Sequence, residues 1–171
     1  MLKKSIFLST LVLSVLFLSQ LSYAQEAPKA SPFKSTSAEV NGKTVTIEYS
    51  APSKKDRKIW GGLVPYGKVW RTGANEATTL EVSADVKVAG KDLKKGKYAI
   101  FTIPNQDKWT VIINKNPNQW GAYSYKEAEN LFSFEVKPKK SSLQEMFSIT
   151  VSPEGLVTMA WDELKVEFTI Q

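Results

Sequence analysis

Arg57, Trp60, Tyr66, Trp70, Arg71, Asn75 and Glu76 crowd into one short stretch of the chain. Indole rings stack on sugar rings and other flat ligands, and a few convergent polar groups then fix the ligand's orientation. Trp120 and Tyr123, in "QWGAYSY", bring aromatic material from a second Gly-containing loop. Together these residues form a candidate ligand-binding set. A structural alternative stands beside it. Large aromatics in long loops often plug the end of a core, while nearby polar groups satisfy buried backbone. In that case Arg71 covers an indole face, worth about 0.5–2 kcal/mol, Asn75 caps a turn, and Glu76 pairs with Arg71 or Arg57. If Trp70 faces inward on extended chain, Arg71 points the other way. It is then expected to turn towards Glu76 or Asn75 and grip a carboxylate with both arms of its fork.

Catalytic options are narrow. The chain has no His and no Cys, which removes Ser-His-Asp and Cys-His chemistry and the usual zinc and copper ligands. Glu76 is the one catalytic candidate, as half of a carboxylate pair for glycoside hydrolysis. Such pairs stand about 5–5.5 Å apart for retention or about 6.5–9.5 Å for inversion, and no spacing in this sequence forces either. "SPFK" at 31–34 and "KTV" at 43–45 match fragments of penicillin-binding motifs but lack their partners. No Gly-rich phosphate loop, EF-hand or Cys-rich metal pattern occurs, so no cofactor and no metal is expected. Glu127/Glu129 and Asp162/Glu163 read as solvated turn residues. Glu145 is out of place: it keeps the phase of Leu143, Phe147, Ile149 and Val151. An edge strand, a buried cation or a bulge would each accommodate it.

The elements that must position these groups begin after an export signal. Lys3 and Lys4, the run "SIFLSTLVLSVLFLS" and small residues at Ser22 and Ala24 predict cleavage after Ala24. The run is short for a bilayer span, which takes about 20 residues, and no second apolar run follows. The mature chain is therefore expected in the periplasm or outside the cell, not spanning the membrane. The formal net charge is +6, two units of it in the signal. Lysines are scattered, a pattern of solubility and not of nucleic-acid binding.

Residues 25–36, "QEAPKASPFKST", read as a flexible leader, and 37–171 as a single domain. "SAEV" and "KTVTIEYS" flank Asn41-Gly42, a strong hairpin signal, with Val45, Ile47 and Tyr49 on one face. Strands are expected at about 77–83 and 85–89, then in "KYAIFTI" and "KWTVIIN", apolar enough to lie centrally with both faces covered. Ser124 and Glu127 suggest a capping box for one short helical turn. "LFSFEVK", "LQEMFSITV", "LVTMAW" and "LKVEFTI" complete about ten strands. The pattern predicts an all-β fold, two antiparallel sheets packed as a sandwich of jelly-roll kind, with a closed barrel as the alternative.

"RKIWGGLVPYGKVWRTGANEATTLEVSADVKVAGKDLKKGKYAIFTIP", then "WTVIINK", "WGAYSY" and "WDELKVEFTI", resemble the exported bacterial family known as domain of unknown function 2911. The likeness covers residues 32–171, and "VWRTGANEATT" is its most specific block. The resemblance implies a β-sandwich-like fold and export, and brings neither a catalytic residue nor a ligand. The chain departs from the family pattern at "AENLFSF", where Asn130 and Ser133 replace an expected "KDVLR"-like run, so any role of an Arg in that strand is absent.

Three readings of function follow. The first is a non-enzymatic module of the cell envelope that binds a glycan or small polar ligand, with at least two of Trp60, Trp70 and Trp120 lining one open groove. The second is a His-free carboxylate glycoside hydrolase using Glu76. The third is a structural or partner-binding envelope protein.

Overall fold

Asn41 and Gly42 take φ of 51° and 75°, the left-handed pair that a two-residue hairpin turn needs. They join β1 (Phe33–Val40) to β2 (Lys43–Ser50). The chain continues through β3 (Ala74–Val82), β4 (Val86–Val88), β5 (Lys91–Leu93), β6 (Gly96–Ile103), β7 (Trp109–Asn114), β8 (Asn130–Val136), β9 (Lys139–Val151) and β10 (Leu156–Thr169). This computed structural model describes residues 30–171. The export signal expected at residues 1–24 and the first part of the expected leader lie outside the described residues.

The expected all-β antiparallel class holds. The strands form a six-stranded sheet in the order β1-β2-β3-β6-β7-β8, a long β9-β10 ribbon and a short β4-β5 hairpin. Val45, Ile47, Leu80, Ile100 and Val111 on the large sheet pack against Phe147, Ile149, Met159 and Phe168 of the ribbon. β6 and β7 are interior strands, as their apolar runs predict. Their opposite face carries a second cluster of Ala77, Ala99, Phe101 and Ile112, covered by Ala122 and Tyr125.

Local expectations change in three places. β1 begins at Phe33, inside the stretch read as leader; Phe33 pairs with Ser50, and Ala51 N–H donates to the Pro32 carbonyl at 2.8 Å. An edge strand paired through its backbone needs no apolar period, which is why residues 33–36 gave no signal. The helical turn is a 3₁₀ turn, Glu127–Glu129, whose N-cap is Lys126 without a side-chain bond, so the Ser124–Glu127 capping box does not form. "LVTMAW" and "LKVEFTI" belong to one strand, β10, bent at Asp162 (φ 55°) where the register with β9 shifts. The bend is severe. Fourteen residues would span about 46 Å if straight, yet Ile170 N–H, just past the strand, bonds the Gly155 carbonyl just before it at 2.8 Å. Glu145 sits opposite this irregular stretch. It is exposed, and its carboxylate accepts the Lys55 backbone N–H at 2.9 Å.

Tyr49 stitches the layers together. Its hydroxyl donates to the Ile149 carbonyl at 3.3 Å and accepts the Ile149 N–H at 3.0 Å. Tyr49→Phe strands both groups and is expected to cost about 1–3 kcal/mol. Burial raises the phenol above its ordinary 10.0, partly offset by the Ile149 bond. The folded state therefore holds this proton more tightly than the unfolded chain. The resulting stability is intact below the ordinary value and is lost as pH rises through the raised one. Melts of both proteins at neutral and strongly alkaline pH should show the gap between them narrowing in alkali.

Candidate functional site

The segment after β2 leaves the large sheet and pairs with the ribbon. Phe147 N–H donates to the Pro52 carbonyl at 2.8 Å, and Lys54 N–H to the Glu145 carbonyl at 2.7 Å. Farther on, Trp70 and Thr102 exchange backbone bonds of 2.8 and 2.9 Å, setting Trp70 beside β6. Held at both ends, the loop turns its indoles inward. The Trp60 ring lies 4.6 Å from Trp109 and 5.9 Å from Trp70, and Trp70 stacks on Trp161 at 6.0 Å. All four are buried. Trp60 and Trp70 are core residues, and they do not line an open groove with Trp120.

Arg71 is also placed differently from expectation. Among the described residues it makes no ion pair with Glu76 or any other carboxylate, and its Nε is buried without a partner. The cause is the backbone. Thr72 (φ 58°) and Asn75 (φ 57°) are both left-handed, so the alternation that would face Arg71 towards Glu76 is broken twice. A β-branched residue there costs about 1–3 kcal/mol. It is offset by Thr78 Oγ1 donating to the Thr72 carbonyl at 2.6 Å and by Thr72 and Thr102 hydroxyls 3.1 Å apart. Asn75 Nδ2 donates to the Ser31 carbonyl at 3.3 Å. Arg57 is exposed and donates to the Lys54 carbonyl at 2.9 Å and to the Ser53 carbonyl.

Glu76 faces elsewhere. Ala77 N–H donates to the Gln119 carbonyl at 2.9 Å and Gly121 N–H to the Asn75 carbonyl at 3.0 Å, which ties Glu76 and Trp120 into one antiparallel bridge. Between this loop and the outward residues of β1–β3 runs a groove of about 560 Å³, lined among others by Phe33, Glu48, Glu76, Lys97, Gln119 and Trp120. Trp120 is 59% exposed and Phe33 64%. Lys97 Nζ bonds the Glu48 carboxylate at 2.6 Å. Gln119 is only 4% exposed; its amide donates to Asn114 Oδ1 at 3.1 Å and the Asn116 carbonyl at 2.6 Å, leaving Oε1 buried without a partner. Exposed aromatic faces beside carboxylates, an ammonium and an amide are what a polar ring-bearing ligand needs. No group of His, Cys, Asp or Glu among the described residues could hold a metal ion. No helix among them is long and apolar enough to cross a membrane.

The family model described as "Protein of unknown function (DUF2911)" matches residues 31–170. The chain belongs to this family. No curated protein and no solved structure matches it. Asn130, expected from the sequence to depart from the family pattern, has a local role. Asn130 accepts from Asn114 Nδ2 at 2.9 Å and donates to the Tyr125 hydroxyl at 2.7 Å, fastening the loop that carries Gln119 and Trp120.

The remaining predicted residues scatter. Tyr66 packs partly buried against the core and borders a depression with Asn105 and Lys108. Tyr123 is 88% exposed and lines neither the groove nor the cleft near Arg71. Sequence reasoning missed Phe33, Glu48, Lys97 and Gln119. Glu48 had a signal, since it shares the outward phase of Thr44 and Thr46 in β2. Phe33 had one too: a large aromatic is out of character in a Pro-, Ser- and Lys-rich leader.

Proposed function

We propose that the protein is a non-enzymatic binding module, exported to the periplasm or beyond after cleavage following Ala24, that recognises a glycan or small polar ligand in the Trp120 groove. The observation that carries this reading is the exposed pair Trp120 and Phe33 on one groove with Glu48, Glu76 and Lys97. Stacking and a few hydrogen bonds support weak affinity; millimolar binding corresponds to about 4 kcal/mol. A glycan and metabolite thermal-shift screen tests it, because a ligand specific for the folded state raises the melting temperature. Trp120→Ala should abolish the shift of any hit. It should leave the unliganded protein within about 0.5 kcal/mol, as for other surface changes. A hit unaffected by Trp120→Ala places binding outside the groove. N-terminal sequencing of the exported protein should begin at Gln25.

Two carboxylates on one groove, Glu48 and Glu76, favour a second reading as a glycoside hydrolase. Glu76→Gln separates the two: a hydrolase loses turnover while retaining ligand, and a binding module has no turnover to lose.

A further inference from the structure

Both arginines of this chain, against 23 basic residues in all, line a single cleft of about 340 Å³ beneath the 51–75 loop, apart from the Trp120 groove. We propose that this cleft is a second site, which takes a compact oxyanion, a carboxylate or phosphate group, with its apolar body against Leu63. Lys55, Arg57 and Arg71 are the charged residues of its lining, with Asn75 beside them, and no carboxylate lines it among the described residues. Of the acids around it, Glu145 accepts the Lys55 backbone N–H, Asp162 faces Lys54 at 3.9 Å, and Asp56, between Lys55 and Arg57, is exposed and does not line the cleft. The ion pairs among the described residues all use lysines. The two guanidiniums are kept out of surface pairing and brought to one place.

Arg71 carries the argument. A guanidinium offers five donors in a planar fork suited to bidentate oxyanion recognition, and here its Nε is buried with no acceptor. A buried donor on a cationic group strongly favours an anionic acceptor. Arg57 uses Nε and one arm on the Lys54 and Ser53 carbonyls, which fixes its plane and leaves its other arm free of bonds within the described residues. Asn75, also in the lining, is tied through Nδ2 to the carbonyl of Ser31, another lining residue.

With only two arginines, the Nε–H region of a ¹H–¹⁵N spectrum holds two signals, assignable with Arg57→Lys and Arg71→Lys. Inorganic phosphate and benzoate are titrated separately into the purified protein at constant ionic strength set with sodium chloride. The proposal expects saturable movement of the Arg71 signal with at least one probe, and phosphate against benzoate tells which oxyanion the cleft prefers. Affinity should fall at least tenfold in Arg71→Lys, which keeps the charge and loses the fork, and should hold in Lys91→Gln, which removes a distant charge. No movement, or movement matched by chloride alone, overturns the proposal. So does a change of the Arg71 signal on Glu26→Gln without added anion, which would make the chain's own carboxylate the occupant. Because the readout is on the unmodified protein, a variant that folds poorly leaves the test standing. Loss of the glycan reading does not touch this site.

Discussion

Trp161→Ala is expected to remove about 3–5 kcal/mol of folding stability, a large fraction of the roughly 5–15 kcal/mol that holds a domain of this size. Trp161 is 1% exposed and stands at the junction of the two layers. Its ring meets Trp60 at 6.0 Å, Trp70 at 6.0 Å and Phe147 at 5.9 Å, and its Nε1 donates to the Glu145 carbonyl at 3.2 Å. Each aromatic pair adds about 0.5–1.5 kcal/mol beyond the area it buries. The cavity left behind cannot collapse cheaply, because the Phe147–Pro52, Lys54–Glu145 and Trp70–Thr102 backbone bonds pin the surrounding loop. With no cysteine in the chain, no disulfide shares the load. Denaturant unfolding measures the loss. Trp161→Phe should fall between wild type and alanine, since it keeps a ring but leaves the Glu145 carbonyl without its indole donor. A loss in Trp161→Ala as small as that of Trp120→Ala would mean that the four indoles are not the keystone of the core.

That pairing of tryptophans shows how far the sequence could be read. The strands were legible because alternation along β2, β3 and β8 is set by burial on one face, because β6 and β7 carry the continuous apolar runs of strands covered on both faces, and because Asn41-Gly42 can hardly do anything but turn. Trp109 was legible as core from its place on a strand. Trp60, Trp70 and Trp120 share a local context, an indole in a Gly-containing loop, and nothing local separates them. Their fates diverge through distant partners: Ser53 bridges Met146, Trp70 bridges Thr102, and Trp120 bridges Glu76. The first two contacts fold a loop under the sheet edge, and the third lays one over the outer face. Arg71 was misdirected for a related reason. Alternation assumes extended backbone, and Thr72 and Asn75 leave it, a conformation that a threonine does not advertise. The groove pairs a residue of the supposed leader, Phe33, with one more than 80 positions away, Trp120. Only the topology brings them together.

Gly155→Ala is expected to destabilise the fold by about 2–6 kcal/mol through two separable effects. The first is conformational: Gly155 has φ +79°, which disfavours any side chain. The second is spatial: a Cβ there would stand 1.9 Å from the Ile170 carbonyl oxygen and 3.0 Å from Val40 Cγ1. The oxygen belongs to backbone and cannot swing aside. Ile170 is held by its N–H bond to the Gly155 carbonyl, and Gln171 exchanges bonds of 2.7 and 2.8 Å with Lys87 on β4. Pushing Ile170 away therefore opens the clasp that brings the two ends of β10 together and loosens the β4-β5 hairpin with it. Gly42→Ala supplies the comparison. Its φ of +75° is nearly the same, and nothing lies within 4 Å of the added Cβ. It should carry the conformational cost alone, about 1–2 kcal/mol. The difference between the two variants is the strength of the clasp. Hydrogen exchange locates it: the amides of Ile170, Gln171 and Lys87 should lose protection in Gly155→Ala and keep it in Gly42→Ala. Equal losses of stability in the two variants, with protection unchanged at Ile170, would show that the bend at Asp162 alone curves the strand and that its ends need no clasp.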